Sequence, residues 1–96
     1  MATIVGLCTV EFDLPGMTSL KDKRSILQSL TKRLRNTFNI SVAEVDHHDL
    51  WQSAIIAFVT VTTSTAHANQ TISLVLNWIE KHYPDALIVD QQIEIL

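Results

Sequence analysis

The chain has 96 residues, 47% hydrophobic and 18% charged, with two glycines and two prolines; this composition excludes a disordered or low-complexity chain and predicts one domain over residues 1–96. The longest apolar-rich run, Ser53 to Val61, is too short to span a bilayer, and no basic segment leads into an apolar secretory signal. A single cysteine, Cys8, fits a reducing compartment, so the cytoplasm is expected; a net charge of −3 argues against nucleic acid only until its distribution is considered.

Thr3 to Phe12 is apolar and β-branched with a loose alternation, which predicts a strand. Asp13 to Thr18, containing Pro15-Gly16, is a loop. A helix begins at Ser19, with Asp22 placed as its capping-box partner. Leu20, Leu27, Leu30, Leu34 and Phe38 recur at helical spacing as its buried face, and Asn39 ends it. Ile40 to Val45 is a second strand and Ser53 to Thr62 a third, joined by the polar connector Asp46 to Gln52 with Leu50 and Trp51 to pin it. A second helix starts near Ser64 or Thr65 and stops before Pro84, with Ala68, Ile72, Val75, Leu76, Ile79 and Tyr83 facing the core. Leu87 to Ile95 alternates strongly and forms the last strand. The order βαββαβ predicts an α+β, ferredoxin-like sandwich: a four-stranded antiparallel sheet with two helices on one face.

Helices on one face leave the other in water, where polar residues belong. Strand three is nevertheless apolar on both sides: Ile55, Ala57, Val59 and Val61 against Ala54, Ile56 and Phe58. Strand one likewise sets Val5 and Leu7 against Ile4, Cys8 and Val10. A second copy of the chain is the expected cover, with Leu7, Ile56 and Phe58 as candidate homo-oligomer contacts.

Charge is distributed unevenly along the chain. Residues 20–38 hold six of the seven cations and one of the ten acids. Lys21, Lys23 and Arg24 crowd the first helical turn, where the helix dipole opposes positive charge and an anion would be the natural compensation. Lys21, Arg24, Gln28, Lys32 and Arg35 follow i, i+3, i+7, i+11 and i+14, one straight polar stripe able to meet several phosphates of an RNA backbone. A solvated, solubilising helix face is the competing account. Lys23 points nearer the apolar side and is expected to snorkel.

Other constellations are thin. Asp46-His47-His48-Asp49 has metal-ligand residue types, but neighbouring side chains in an extended segment face opposite ways and no second cluster supplies further ligands. No metal or other cofactor is expected. The chain has no Gly-X-Ser-X-Gly elbow and no Gly-rich phosphate loop, and mid-strand Cys8 reads as a small buried hydrophobe. Glu11, Asp13 and Glu44 would serve as acid and base only if they converged. Leu74 and Trp78 lie off the core face of helix two, at an interface or at the rim of the core. Strand three lacks the aromatic run of RNA-recognition sheets, so RNA would meet the helix stripe and the Pro15-Gly16 loop through phosphates.

The segments Leu14-Pro15-Gly16-Met17-Thr18-Ser19-Leu20-Lys21-Asp22-Lys23-Arg24 and Arg33 to Val45, with Asp49-Leu50-Trp51-Gln52 and Ile93-Glu94-Ile95-Leu96, resemble the YlxP-like family, small bacterial proteins labelled as a domain of unknown function. His48 departs from that pattern, in which Gln is expected. The resemblance spans essentially the whole chain and implies a ferredoxin-like fold and the cytoplasm. It implies no established activity and transfers no catalytic residue. Members are often encoded beside translation and ribosome-maturation factors, which implies an RNA- or ribosome-linked role by association. The expected function is therefore non-enzymatic docking on RNA or a ribosomal particle through helix one. The alternative is a dimeric small-ligand-binding module, or an enzyme, with a cavity against the open sheet face.

Overall fold

In the computed structural model, which describes residues 2–96, two helices lie across one face of a four-stranded antiparallel sheet. The elements are β1 (Ile4–Asp13), α1 (Leu20–Thr37), β2 (Ser41–Asp46), β3 (Ser53–Thr62), α2 (Thr65–His82) and β4 (Leu87–Ile95). Strand order is β2-β3-β1-β4, the ferredoxin-like arrangement. The ten-residue apolar strands β1 and β3 take the centre, where both edges are hydrogen-bonded. The shorter β2 and the more polar β4 take the edges, each with a register irregularity that breaks a smooth open ladder.

Both helices start as their sequences direct. The Ser19 hydroxyl accepts the backbone N–H of Asp22 at 3.1 Å, and Ser64 does the same for His67 at 3.3 Å. The capping box is only half made: the Asp22 carboxylate accepts from the Thr18 hydroxyl at 2.6 Å instead of returning to Ser19. That hydroxyl holds the Asp22 carboxyl below the ordinary carboxylate range. Leu27, Leu30 and Leu34 from α1 and Ala68, Ile72, Val75 and Ile79 from α2 are buried against Cys8, Val10, Phe12, Ala54, Ile56 and Phe58 of the sheet. Close approach of α2 depends on Gly6, where a Cβ would stand 3.2 Å from Ile72 Cδ1 and 3.3 Å from Ala68 Cβ. Tyr83 ties the helices together, its hydroxyl lying 2.8 Å from Ser29 Oγ and accepting from Arg33 Nη1 at 3.2 Å.

One sequence expectation is corrected here. Ile56 and Phe58 do not reach the open face, because they alternate onto the helix side and are fully buried there. Antiparallel pairing sets Val10 opposite Ile56 and Cys8 opposite Phe58, all beneath the helices. Leu7 does lie on the open side, opposite Val59, with Val5 opposite Val61 and Thr9 opposite Ala57. The open face therefore carries Val5, Leu7, Ile55, Ala57, Val59 and Val61, of which Val61 is 62% exposed.

Cys8 is wholly enclosed, and burial pushes its thiol up to about 11 from an ordinary 9.0. A thiol-specific disulfide reagent at pH 8 is therefore expected to label the native protein only as it unfolds, and at an ordinary rate in denaturant. Because the folded pKa is the higher one, this thiol's contribution to stability is complete below pH 9.0 and falls away as pH rises toward about 11. Rapid labelling of the native protein would mean that β1 opens locally.

Candidate nucleic-acid interface

Lys23 does not snorkel. It is 1% exposed and lies on the spacing of Leu27, Leu30 and Leu34, so the helix directs it into the core. Its ammonium meets three backbone carbonyls of the connector: His47 at 2.6 Å, Leu50 at 2.6 Å and Ser53 at 2.9 Å. Three acceptors use its three protons. Glu44 Oε2 stands 2.9 Å from the same nitrogen yet accepts no well-aligned hydrogen bond, so that contact is Coulombic. Its charge balances the lysine inside the fold.

The connector takes its shape around this ammonium. His47 has φ of 60°, a left-handed conformation uncommon for a non-glycine residue. It is held by the Asp46 carboxylate on its N–H at 2.7 Å, by Ser53 Oγ against its Nδ1 at 2.8 Å, and by the Leu50 N–H on its carbonyl at 3.0 Å. Residues 47–52 are thereby fixed while Leu50 and Trp51 remain about half exposed, at 49% and 48%. The loop before α1 is tied to the same end of the molecule, with Leu14 N–H on the Gln52 carbonyl at 2.9 Å.

Beside this end runs a groove of about 290 Å3 between α1 and β2, lined by Arg24, Leu27, Gln28, Thr31, Arg35, Ala43 and Glu44. It brings together three of the five stripe residues. Lys21 and Lys32 are exposed on the same helix outside the groove lining. Arg35 is partly committed, donating from Nη2 to the Val42 carbonyl at 2.9 Å. Among the described residues, Lys21, Arg24 and Lys32 form no salt bridge, although, after the Thr18 hydroxyl, the Lys21 charge helps to lower the neighbouring Asp22 carboxyl. Glu44 is the one acid lining the groove, and Lys23 offsets it.

The sixth cation of the segment, Arg33, turns the other way, with its guanidinium 5.0 Å from the Trp78 ring centre and 5.3 Å from that of Tyr83. Trp78 also meets Phe38 edge-on and stacks on His82, so it is a rim residue with its partners supplied internally. Leu74 stays exposed.

The connector histidines diverge: His47 engages Ser53, and His48 Nε2 lies 4.0 Å from Glu44 Oε1. No cluster of three or more potential metal ligands occurs among the described residues. Glu11, Asp13 and Glu44 do not converge, since Glu11 pairs across to Ile55 on the open face while Glu44 pairs with Ile56 on the helix side. Among the described residues, no helix is long and apolar enough to cross a membrane.

Residues 5–93 match the sequence model of a family described as Protein of unknown function (DUF503). The chain belongs to that family. The DUF503 match accords with a relative from Bacillus subtilis (strain 168), Uncharacterized protein YlxP, which is 29% identical over 77 residues covering 80% of this chain and 84% of that one. The resemblance found in the Leu14–Arg24 and Arg33–Val45 segments thus holds. Among solved structures, the de novo designed protein Foldit4 aligns over 98% of this DUF503 chain and 96% of its own length, with a TM-score of 0.54 and 7% identity. That likeness concerns the fold alone.

Replacing Lys23 by Met is expected to cost about 3–5 kcal/mol in urea unfolding, the range for leaving one partner of a buried pair alone. Glu44→Gln should also cost about 3 kcal/mol, because the buried ammonium keeps its carbonyls but loses its balancing charge. The double variant should stay near Lys23→Met. Full recovery in the double variant would show that charge balance matters here and carbonyl satisfaction does not.

Proposed function

We infer that this DUF503 protein is a non-enzymatic, cytoplasmic domain that docks on RNA or a ribosomal particle through the exposed side of α1. One observation carries the reading: Lys21, Arg24 and Lys32 stand exposed on one helix flank and form no salt bridge among the described residues. Surface cations ordinarily intermix with acids, and an unpaired row raises the local potential well above that implied by a net charge of −3. At roughly 1.5 Å per residue, about 21 Å separate Lys21 from Arg35, enough for several phosphates. Neutralisation of Glu44 by Lys23 removes the groove's own barrier to an anion. Gln28 supplies a neutral hydrogen-bonding group between the charges. Backbone contacts of this kind position RNA without reading its bases. The single buried cysteine accords with a reducing compartment.

A second reading rests on a separate observation, the apolar open sheet face. In it, two copies pair through Leu7, Val59 and Val61 and enclose a small-ligand cavity, since leaving those side chains in water forgoes about 25 cal/mol per Å2 of apolar area. Light scattering at micromolar concentration should then report more than the 10.8 kDa of one chain, and Val59→Asp should return it to that mass. A monomer that binds no hydrophobic dye would remove this reading.

If Lys21, Arg24, Lys32 and the remaining nitrogens of Arg35 all meet phosphates, binding should fall with a log–log salt slope of about −3 to −3.5, roughly a hundredfold between 50 and 200 mM salt. The double variant Arg24→Glu/Lys32→Glu breaks no internal contact and should remain folded. It should flatten that slope and abolish cosedimentation with ribosomal particles. Undiminished cosedimentation would leave the row a solvated surface and move the small-ligand reading to first place.

A further inference from the structure

The two tryptophans differ in one respect that bears on ligand choice. Trp78 is surrounded by Arg33, Phe38, His82 and Tyr83. Trp51 has no aromatic or cationic partner among the described residues, and it stands 48% exposed at a shallow depression of about 370 Å3 formed with Leu50, Gln52 and Ser53. An exposed tryptophan on a mobile loop would carry little information. This loop is held on both sides of Trp51, because the carbonyls of Leu50 and Ser53 bind one buried ammonium.

That ammonium belongs to the first turn of α1, between Lys21 and Arg24 in sequence. The contact that fixes the backbone on either side of Trp51 therefore also ties the connector to the first turn of α1, where the cationic row begins. Glu44 connects the two regions, since it lines the groove with Arg24 and Gln28 while pairing with Lys23 and approaching His48 of the connector. A cationic track that ends at an unpartnered aromatic ring is the pairing of features by which proteins hold single-stranded nucleic acid, phosphates on the track and a base on the ring. Asp46 and Asp49 on the connector disfavour a phosphate there and leave an uncharged base as the group that fits.

We propose that Trp51 is a stacking platform for one unpaired base of an RNA whose backbone lies on Lys21, Arg24 and Lys32. This deepens the proposed RNA reading and rests on it. It makes the ligand a single strand, or a junction with a flipped-out base, because a base inside a duplex cannot reach the ring.

The test uses the full-length protein with a 12-nucleotide oligouridylate and, separately, a 12-base-pair RNA duplex, following intrinsic tryptophan fluorescence and anisotropy of the labelled RNA. The single strand should quench fluorescence and the duplex should not. Trp51→Ala should remove the quenching and weaken single-strand binding about tenfold or more while leaving the salt slope unchanged. Trp51→Phe should restore most of the affinity, which separates stacking from loss of fold, and circular dichroism checks the fold of both variants. Arg24→Glu should do the converse, flattening the slope while retaining quenching at saturation. Wild-type affinity in Trp51→Ala, or equal quenching by the duplex, would overturn the stacking site and leave the phosphate row standing. Salt-independent binding, or none, to either RNA by the unmodified protein would overturn the RNA reading and this site together.

Discussion

One ammonium organises the connector end of this molecule. Lys23 is buried and hydrogen-bonds three carbonyls spread over His47, Leu50 and Ser53, so a seven-residue stretch of backbone converges on one point charge. The Leu50 carbonyl, turned inward by a tight connector, would otherwise lack a donor, at a cost of about 1–3 kcal/mol. The left-handed His47, the half-exposed Leu50 and Trp51, and the register irregularity after Glu44 all lie in the segment gathered around that centre. Glu44 supplies the balancing charge, which lets an ammonium remain in a low-dielectric site.

The same contact changes the meaning of the basic segment. Six cations in residues 20–38 look alike in the sequence, yet the fold puts them to different uses. Lys23 is consumed by the connector, Arg33 by the faces of Trp78 and Tyr83, and one nitrogen of Arg35 by the Val42 carbonyl. Lys21, Arg24 and Lys32 stay exposed.

The sheet poses a separate requirement. Its helix-covered face is a closed core, with Cys8, Val10, Phe12, Ala54, Ile56 and Phe58 all at or below 1% exposure. On its open face the two central strands repeat valine and isoleucine, while the edge strands place polar side chains such as Ser41, Asp90, Gln92 and Glu94 there. Val5, Leu7, Val59 and Val61 are close enough across β1 and β3 to form one apolar strip. The cationic row lies on a helix that covers the opposite face, so a cover on the strip and a partner on the row do not compete.

Element order, helix limits and the core faces of the helices were legible in the sequence, because helical and strand periods and the Ser19 and Ser64 caps are properties of a few consecutive residues. The stripe Lys21, Arg24, Gln28, Lys32, Arg35 was legible for the same reason. Even the burial of Lys23 left a trace, as a lysine on the spacing of Leu27, Leu30 and Leu34. Which face of β3 meets the helices was not legible, since Ile55 and Ile56 are equally apolar and only pairing with β1 distinguishes them. Nor were the fates of the cations. Lys23 finds its acceptors 24, 27 and 30 residues away, and Arg33 reaches Tyr83 across 50. Charge and polarity are written residue by residue, but a buried charge is stable only beside partners that chain folding brings from afar, and those partners belong to the tertiary structure alone.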